Sequence, residues 1–387
     1  MRILVTSTPG MGHLNAVLPL MTALQRAGHD LLIVTAAVSC DAVERHGFAV
    51  RPGGITGEER RRQFAPRMPE ALALPPRRRR GLFFAGMFAE AAAPEMRVDL
   101  QPVFDEFRPE IVVHERGELA SAPMAAARGI PHVTVAFSGA LPEWAEQLTI
   151  ESLIPLWAAE GLPVPTMDDI NGALYLHQFP PSFGQAPSSG VVRPMRAVAA
   201  DGESSEAPDW LEGLGSTRPL VYVTSGTEPA GATAPWAAIV EALGSFDVDA
   251  IATIGTHVDP STLGAVPANL RVARFVPQRF ILDKAHLVMS HSGAGSLLGA
   301  ATRGVPQLLY PLAADQWENA DAATGAGVAI TCEMDGRSAA DIGAALHDLL
   351  KDDRFRHAGA RVAAEIEAMP TPADHVATIE AVVSGST

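Results

Sequence analysis

The sequence has little cysteine, an excess of acidic over basic residues and no long apolar run. Two cysteines occur among the 387 residues, Cys40 and Cys332, far apart and in dissimilar contexts, which excludes a disulfide framework and a cysteine-based metal site. The formal net charge is −15, so repulsion by phosphates argues against a general nucleic-acid partner. The apolar stretch at the N-terminus is too short for a signal peptide or a membrane span. We therefore expect a cytoplasmic protein without a membrane-spanning segment.

Strand, glycine-rich turn, helix and strand follow one another repeatedly along the chain. Ile3 to Ser7 is predicted as a strand, Leu14 to Ala27 as a helix and Leu31 to Thr35 as the next strand, which makes one βαβ unit. The same order recurs from Ile111 to Phe137 and restarts at Leu220. This alternation predicts an α/β protein with two doubly wound, Rossmann-like parallel sheets. Ligands of such sheets bind at the carboxyl ends of the strands, so we expect a site in a cleft between two domains.

The chain length and one acidic, polar segment define the predicted domain boundaries. A chain of 387 residues exceeds what one hydrophobic core usually supports, and Asp201 to Pro208 has the composition of an inter-domain linker. Arg51 to Pro94 is basic and rich in proline, and it is predicted as long loops and short helices. The predicted divisions are a first domain over 1–200, a linker over 201–217, a second domain over 218–365 and a closing segment over 366–387.

The second domain contains a series of short motifs suited to a phosphorylated ligand. A glycine-rich turn from Gly293 to Ser296 follows a predicted strand and opens a predicted helix, so backbone N–H groups and the helix N-terminus can approach an anion closely. His291, at the end of that strand, can donate a hydrogen bond to the same phosphate oxygens, although the turn by itself is typical of any phosphate-binding loop. Asp315 and Gln316 follow the next strand and offer donors and acceptors to sugar hydroxyls.

In order and spacing these motifs resemble the donor signature of the GT-B glycosyltransferases of family 1, especially bacterial enzymes that decorate natural products. The similar segments in this domain are Phe275 to Gln278, His291 to Ser296, Gly304 to Pro306 and Asp315 to Asn319. The turn Gly10 to Asn15 and the restart Val223 to Thr227 also fall where that family has them. The resemblance covers nearly the whole chain and implies a GT-B fold whose C-terminal helix, near Asp374 to Val383, returns to the first domain.

The resemblance implies a role for each matched residue of the second domain. Phe275 would stack on the nucleobase, and the backbone of Val276 would read the base edge. The donor sugar would be bound by Asp315 and Gln316. The diphosphate would be held by Ser225, Thr227, His291, Gly293, Gly295 and Ser296.

One position departs from the pattern of the family. Members that use UDP-sugars often have a glutamate eight residues after the signature histidine, where it binds the ribose hydroxyls, and here that position is Gly299. A missing carboxylate suits a deoxyribose. The departure therefore favours a dTDP-activated sugar, although water or backbone can also satisfy a ribose.

In the first domain, His13 is the candidate general base and Glu115 the carboxylate that would orient it. An imidazole suits deprotonation of an acceptor hydroxyl near neutral pH, and a carboxylate behind it would fix the tautomer and stabilise the cation. Glu115 occupies the place of the acidic partner in the family, where many members have aspartate, and Glu118 is a second option. If the strand stays extended, His114 would point the other way. A turn histidine bonded to its own backbone is the alternative for His13.

An apolar run in the first domain, together with two tryptophans, suggests an acceptor pocket. The candidate acceptor residues are Phe83, Phe84, Met87, Trp144 and Trp157. These side chains fit an apolar ligand pocket and a hydrophobic core equally well. Asp247-Val248-Asp249 resembles the metal motif of the other glycosyltransferase fold, but it lies in a polar turn before a strand, where solvated aspartates are common.

These observations together predict a hexosyltransferase that inverts the anomeric centre without a metal ion or cofactor. Its partners would be a nucleotide-sugar donor, with a dTDP-deoxysugar favoured, and an apolar natural product such as a polyketide. Two alternatives stay open, a GT-B nucleotide-sugar epimerase or hydrolase and a non-catalytic helper of a glycosyltransferase. The sequence is also compatible with a homodimer.

Overall fold

A computed structural model describes residues 1–184, 186–188, 190–198, 206–226, 229–333 and 338–385 of the chain. The chain folds into two compact units. Unit 1 comprises Met1–Phe179, Ala186–Arg196 and Met369–Thr387, and unit 2 comprises Pro180–Gln185 and Ala197–Ala368. The first part of the linker predicted over 201–217 lies outside the described residues, and its later part contains a short 3-10 turn, Asp209–Leu211.

Unit 1 is built on a parallel sheet whose strands are buried between helices. Among the residues that the structure describes, the strand order is β3-β2-β1-β4-β5-β6-β7. The first three strands and the fourth run in parallel register, with Thr6 opposite both Val34 and His114. The strands are β1 (Arg2–Thr6), β2 (Asp30–Thr35), β3 (Ala49–Pro52), β4 (Ile111–Glu115), β5 (His132–Val135), β6 (Leu174–His177) and β7 (Val192–Pro194).

The helices of unit 1 include an uncommon element between residues 85 and 92. Ala85–Ala92 is a π-helix, continuous with the helices before and after it. The segment from Arg51 to Pro94, which the sequence predicts as long loops and short helices, is largely helical. Its alanine-rich, apolar part packs against the sheet in the hydrophobic core. The α-helices are α1 (Met11–Arg26), α2 (Ala37–Arg45), α3 (Gly57–Phe64), α4 (Met68–Ala73), α5 (Pro76–Phe84), α6 (Ala93–Phe107), α7 (Ser121–Ala127), α8 (Glu143–Ala159) and α9 (Met167–Asn171).

Unit 2 repeats the same architecture with a second parallel sheet. Within the described ranges the strand order is β10-β9-β8-β11-β12-β13. Its strands are β8 (Leu220–Thr224), β9 (Asp249–Thr253), β10 (Leu270–Ala273), β11 (Leu287–Ser290), β12 (Gln307–Leu309) and β13 (Ala329–Thr331). Its helices are α10 (Trp236–Gly244), α11 (Gln278–Leu282), α12 (Ala294–Ala301), α13 (Gln316–Gly325), α14 (Ala339–Lys351) and α15 (Asp353–Ala368).

The end of the chain belongs to unit 1. Helix α16 (His375–Ser384) packs near α1. The side chain of His375 contacts the carbonyl oxygen of Pro194 at 2.9 Å, and the backbone N–H of Arg196 donates to the carbonyl of Pro370 at 2.7 Å. Glu380 Oε1 lies 3.2 Å from His29 Nε2. The C-terminal segment therefore completes the unit that the N-terminus begins.

Two further points concern predictions that bear on function. Asp249 opens β9, where its carboxylate accepts a hydrogen bond from the backbone of Gly215 and pairs with Arg218, so it stabilises a turn. None of the helices in the part of the chain that the structure describes combines the length and hydrophobicity that a bilayer crossing requires.

Candidate active site

The structure brings His13 and Glu115 together at the carboxyl edge of the unit 1 sheet. Helix α1 begins at Met11, so His13 lies in its first turn rather than at the tip of a loop. The preceding Gly10 has a φ of 127°, a left-handed conformation that favours glycine. Glu115 is the last residue of β4, which neighbours β1. His13 Nδ1 lies 3.1 Å from Glu115 Oε2.

The Glu115 carboxylate is fully buried and satisfied by several donors. The backbone N–H and the hydroxyl of Thr8 donate to Oε1 at 3.0 and 2.5 Å, and the backbone N–H of Gly117 donates to Oε2 at 2.6 Å. Burial raises the pKa of the Glu115 carboxyl, but His13 and these hydrogen bonds outweigh the burial and lower the pKa to about 2. The carboxylate is therefore charged at neutral pH and can stabilise an imidazolium.

Two phenylalanine rings that are not among the candidate site residues flank the imidazole of His13. The ring of Phe137 lies 4.2 Å from it and that of Phe88 lies 5.5 Å away, measured between centroids. Phe137 follows β5, and Phe88 lies in the π-helix, an element that often occurs at functional sites. The side chain of His13 remains 15% exposed. The exposed side of the His13 ring is flanked by apolar groups and is suited to an acceptor hydroxyl.

The carboxylate of Glu118, the other acidic candidate, lies between β1 and the start of α7. It accepts hydrogen bonds from Thr6 Oγ1 at 2.6 Å, from Ser121 Oγ at 2.5 Å and from the backbone N–H of Ala120 at 2.8 Å. Glu118 thus holds the start of α7 against β1. His114 turns to the opposite side of the sheet from Glu115, where its Nε2 lies 3.0 Å from His132 Nδ1.

Two of the five residues predicted to line an acceptor pocket are buried in the hydrophobic core of unit 1, and the other three are partly buried. Phe84 and Trp157 are buried in the main cluster of that core, and Trp144 packs against that cluster. Phe83 and Met87 pack in a smaller cluster. Of the two interpretations that the sequence left open, the structure favours a core role for Phe84 and Trp157.

In unit 2, His291 is enclosed by two glycines. It follows β11 and is nearly buried. A Cβ added to Gly226 would lie 2.7 Å from the imidazole, and one added to Gly293 would lie 2.4 Å from it, so glycine is required on both sides. Burial lowers the pKa of His291 to about 4, although Asp315 and the backbone of Thr224 raise it. His291 is therefore a neutral hydrogen-bonding group at neutral pH.

Those of the other predicted diphosphate residues that the structure describes lie at the same sheet edge. Ser225 follows β8, which neighbours β11; its Oγ is buried and has no hydrogen-bond partner among the described residues. No side chain caps the start of α12 at Gly293. Gly295 is exposed in its first turn, whereas Ser296 is buried and accepts from the amide of Gln278 at 3.3 Å. Thr227 lies outside the described residues.

The predicted base and sugar residues differ in exposure. The side chain of Phe275 is 70% exposed, whereas Val276 is buried beside it. Asp315 is half-buried before α13, and its carboxylate accepts a hydrogen bond from Asn319 at 2.9 Å. The side-chain oxygen of Gln316 accepts from the backbone N–H groups of Leu312 and Ala313 at 2.7 and 2.9 Å. Because that oxygen is bonded within the loop, the amide nitrogen of Gln316 is the atom that would contact a sugar.

Two further observations concern the ribose position and metals. A Cβ added to Gly299 would lie 3.1 Å from Leu282 Cδ1 and 3.5 Å from Gln278 Oε1. The first contact is tight, so a side chain there requires Leu282 to shift. Among the residues that the structure describes, no three His, Cys, Asp or Glu side chains are grouped to hold a metal ion.

Comparison with known sequences matches the chain to glycosyltransferases. Residues 237–382 match the family described as erythromycin biosynthesis protein CIII-like, C-terminal domain. The L-demethylnoviosyl transferase of Streptomyces niveus is 32% identical over 388 aligned residues, which cover 96% of each protein.

Solved structures of similar proteins share the fold over nearly the full chain. The glycosyltransferase SnogD of Streptomyces nogalater is 26% identical, with a TM-score of 0.79 and 99% of each chain covered. The spinosyn rhamnosyltransferase SpnG, solved with thymidine diphosphate, is also 26% identical, with a TM-score of 0.82 over 98% of this chain and 100% of that one. The same enzyme has been solved with spinosyn aglycone, at a TM-score of 0.80 and the same identity and coverage. The predicted fold class is thereby confirmed.

Proposed function

Because the chain belongs to the GT-B glycosyltransferases that attach sugars to natural products, we propose that it transfers a deoxysugar from a dTDP donor to an apolar natural product. The transfer would be a single inverting displacement that uses no metal ion or cofactor. The observation that carries the proposal is the pair formed by His13 and the buried, ionised Glu115, 3.1 Å apart. The proposal places the reaction in the cytoplasm, where Cys40 and Cys332, which form no disulfide in the described chain, would stay reduced.

The choice of donor rests on two observations. Gly299 provides no carboxylate for a ribose 2′-hydroxyl, which suits the deoxyribose of thymidine. The spinosyn rhamnosyltransferase, whose structure contains thymidine diphosphate, shares the fold at 26% identity. Phe275, with its largely exposed ring, would stack on the thymine.

His13 would take the proton of the acceptor hydroxyl. Its Nδ1 faces Glu115 and Thr8, so its Nε2 is the atom left to accept the proton. As the proton moves to Nε2, the acceptor oxygen attacks the anomeric carbon of the donor from the side opposite the diphosphate. The bond between that carbon and the diphosphate oxygen breaks, and an α-linked donor gives a β-linked product. Glu115 stabilises the imidazolium that forms.

Unit 2 would stabilise the diphosphate that leaves. The uncapped N-terminus of α12 carries partial positive charge and exposed N–H groups. A neutral His291 and the Ser225 hydroxyl add hydrogen-bond donors at the same edge. These groups would disperse the developing negative charge through hydrogen bonds and the helix dipole.

The proposal is tested by nucleotide binding and by product analysis. We expect thymidine diphosphate to raise the melting temperature more than UDP does, and GDP to have the least effect. A hundredfold excess over Kd stabilises a protein by about 2.7 kcal/mol. Preference for UDP would contradict the donor assignment.

Product analysis separates transfer from the alternative activities. With an aglycone panel we expect a β-glycoside by proton NMR and unchanged rates in EDTA. Nucleotide-sugar turnover at the same rate without any aglycone would indicate an epimerase or hydrolase instead.

A further inference from the structure

Two turns at the carboxyl edge of the unit 2 sheet are interlocked through Ser292 and Asn319. The first, the diphosphate turn, comprises His291–Gly293, and the second, the sugar turn, comprises residues 312–316. From their contacts we infer that Ser292 and Asn319 are positioning residues that lock the two turns together, so that a donor bound at one turn orders the other. The inference rests on the proposed function, because it takes the donor diphosphate to bind at the first turn.

Both turns contain a backbone conformation that non-glycine residues rarely adopt. Ser292 has a φ of 60° and Ala314 a φ of 54°. Such conformations persist when surrounding contacts determine them, and they cluster at functional sites. Contacts with neighbouring residues, rather than the intrinsic preference of the backbone, therefore hold each turn in this conformation.

Gln316 and Asn319 join Ser292 to the sugar turn and to helix α13, while the backbone N–H of Ser292 donates to Ser290 Oγ at 3.2 Å. The hydroxyl of Ser292 lies 2.7 Å from the carbonyl oxygen of Gln316, to which it can donate, and 2.5 Å from the carbonyl of His291. The amide nitrogen of Asn319 donates to the carbonyl of Ser292 at 3.0 Å. Ser292 and Asn319 are both fully buried, so these hydrogen bonds do not compete with water.

The same asparagine also fixes the carboxylate predicted to bind the sugar. Asn319 donates to Asp315 Oδ2 at 2.9 Å as well as to the carbonyl of Ser292. Asp315 occupies the N-cap position of α13, where a carboxylate commonly caps the helix, but it makes no side-chain cap hydrogen bond there. Its orientation is therefore set by Asn319, and through Asn319 by the diphosphate turn.

The sugar turn is otherwise closed on itself. Gln316 Oε1 accepts from two backbone N–H groups of the turn, those of Leu312 and Ala313. The turn therefore moves as one piece, and Ser292 and Asn319 attach that piece to the diphosphate turn. Anchoring the diphosphate would thus present Asp315 to the sugar in one orientation, which lowers the entropic cost of binding the second half of the donor.

Hydrogen exchange with thymidine diphosphate tests the link without knowledge of the donor sugar. In the wild type, we expect saturating thymidine diphosphate to slow exchange in peptides covering 290–297 and 312–319. In Ser292→Gly, protection of 290–297 should persist, whereas protection of 312–319 should fall about fivefold or more, the usual size of a coupling between sites. Glycine suits a φ of 60°, so this variant should fold. Asn319→Ala should give the same pattern.

A matched control and three contrary outcomes complete the test. Arg108→Gly removes an exposed side chain at another positive φ, 50°, in unit 1, and should leave both protections unchanged. Full protection of 312–319 in Ser292→Gly, or none there in the wild type, overturns the inference. Loss of both protections in Ser292→Gly overturns it too, because Ser292 would then only shape its own turn. If no nucleotide protects 290–297 in the wild type, the donor assignment itself fails.

Discussion

Two histidines stand at the carboxyl edges of the two sheets, and their surroundings are opposite. His13 of unit 1 contacts a buried carboxylate at 3.1 Å and keeps 15% of its side chain exposed. His291 of unit 2 is enclosed by Gly226 and Gly293, and burial lowers its pKa to about 4. The two histidines occupy similar positions in a strand–turn–helix unit, and this position therefore does not determine the chemical role of the imidazole.

The difference teaches that the groups around a histidine assign its role. A carboxylate that is charged throughout the neutral range stabilises an imidazolium, so the surroundings of His13 suit a group that gains and loses a proton. Burial within a close glycine enclosure outweighs the nearby Asp315 and favours the neutral ring, so His291 suits a fixed hydrogen-bond donor. Five substitutions, ordered from the largest expected effect to the smallest, can break or sharpen this comparison.

Removal of the unit 1 imidazole should have the largest effect. We expect His13→Ala to lower kcat by about 10³–10⁴-fold, near the upper end of the contribution of a general base. The Kd of thymidine diphosphate should stay within about twofold, since the change lies in the other unit. Rates of product formation and calorimetry measure the two effects. An unchanged kcat would refute the base assignment.

Glu115→Gln, which neutralises the carboxylate that contacts His13, should lower kcat by about 10²-fold. The folded-state pKa of about 2 lies below the usual glutamate pKa of 4.5, so the stabilisation from ionised Glu115 is present at neutral pH. It is lost as the pH falls from about 4.5 towards about 2. The variant should therefore be less stable than the wild type in urea at pH 7, and the difference should shrink at pH 3.

The control for that substitution is Glu118→Gln, which changes a carboxylate just as buried but bonded to Thr6 and Ser121. It should lower the stability and leave kcat within about twofold. If Glu118→Gln lowered kcat as strongly as Glu115→Gln, the assignment of Glu115 as the orienting residue would be wrong.

On the unit 2 side, His291→Gln should weaken thymidine diphosphate binding by about ten- to a hundredfold, the effect of losing a hydrogen bond to a charged group. Because the pKa of His291 is about 4, the ratio of wild-type to variant affinity should stay constant from pH 6 to 8. Calorimetry at three pH values measures that ratio. A ratio that rises steeply below pH 7 would show that His291 binds as a cation.

Phe275→Ala should weaken nucleotide binding by about tenfold, since stacking of a base on an aromatic ring contributes about 1–3 kcal/mol. The ring is 70% exposed, so the melting temperature of the unliganded protein should hardly change. Phe275→Trp should retain binding. Equal binding by the alanine variant would place the nucleobase elsewhere.

The smallest expected effect concerns the ribose position. Gly299→Glu should improve the affinity for UDP relative to thymidine diphosphate by about threefold, less than a full hydrogen bond because the Leu282 side chain must shift. Gly299→Ala, which adds no carboxylate, is the control. If both variants change the preference equally, the effect is steric and the interpretation of the missing carboxylate is wrong.

The sequence predicted strands β1, β2, β4, β5 and β8 to β12 and the sheet class, because apolar periodicity and glycine turns are local signals. The short strands β3, β6, β7 and β13 were not predicted. It placed the start of α1 at Leu14, three residues late, because the glycine and proline residues before it read as a turn. The π-helix Ala85–Ala92 could not be foreseen, since its composition is that of an ordinary buried helix. Its geometry depends on packing.

The candidate site was predictable where sequence spacing determines position and not where tertiary contacts do. His13 and Glu115 follow neighbouring strands, so their meeting could be inferred from topology. The approach of Phe88 and Phe137 to His13 joins segments that are distant in sequence. The loop-closing role of Gln316 Oε1 likewise depends on backbone geometry that composition does not encode.

Since residues 369–387 are part of the unit that starts at Met1, the main segment of unit 2, Ala197–Ala368, is inserted within unit 1 rather than appended to it. A recombination that exchanges this segment between relatives therefore needs two junctions, one on each side of the segment. A single crossover would supply Glu380 and His375 from a foreign chain, and these would have to fit His29 and Pro194 of the host. Trimming the carboxyl terminus would accordingly destabilise the unit that holds the base, although the residues removed follow the donor unit in the sequence.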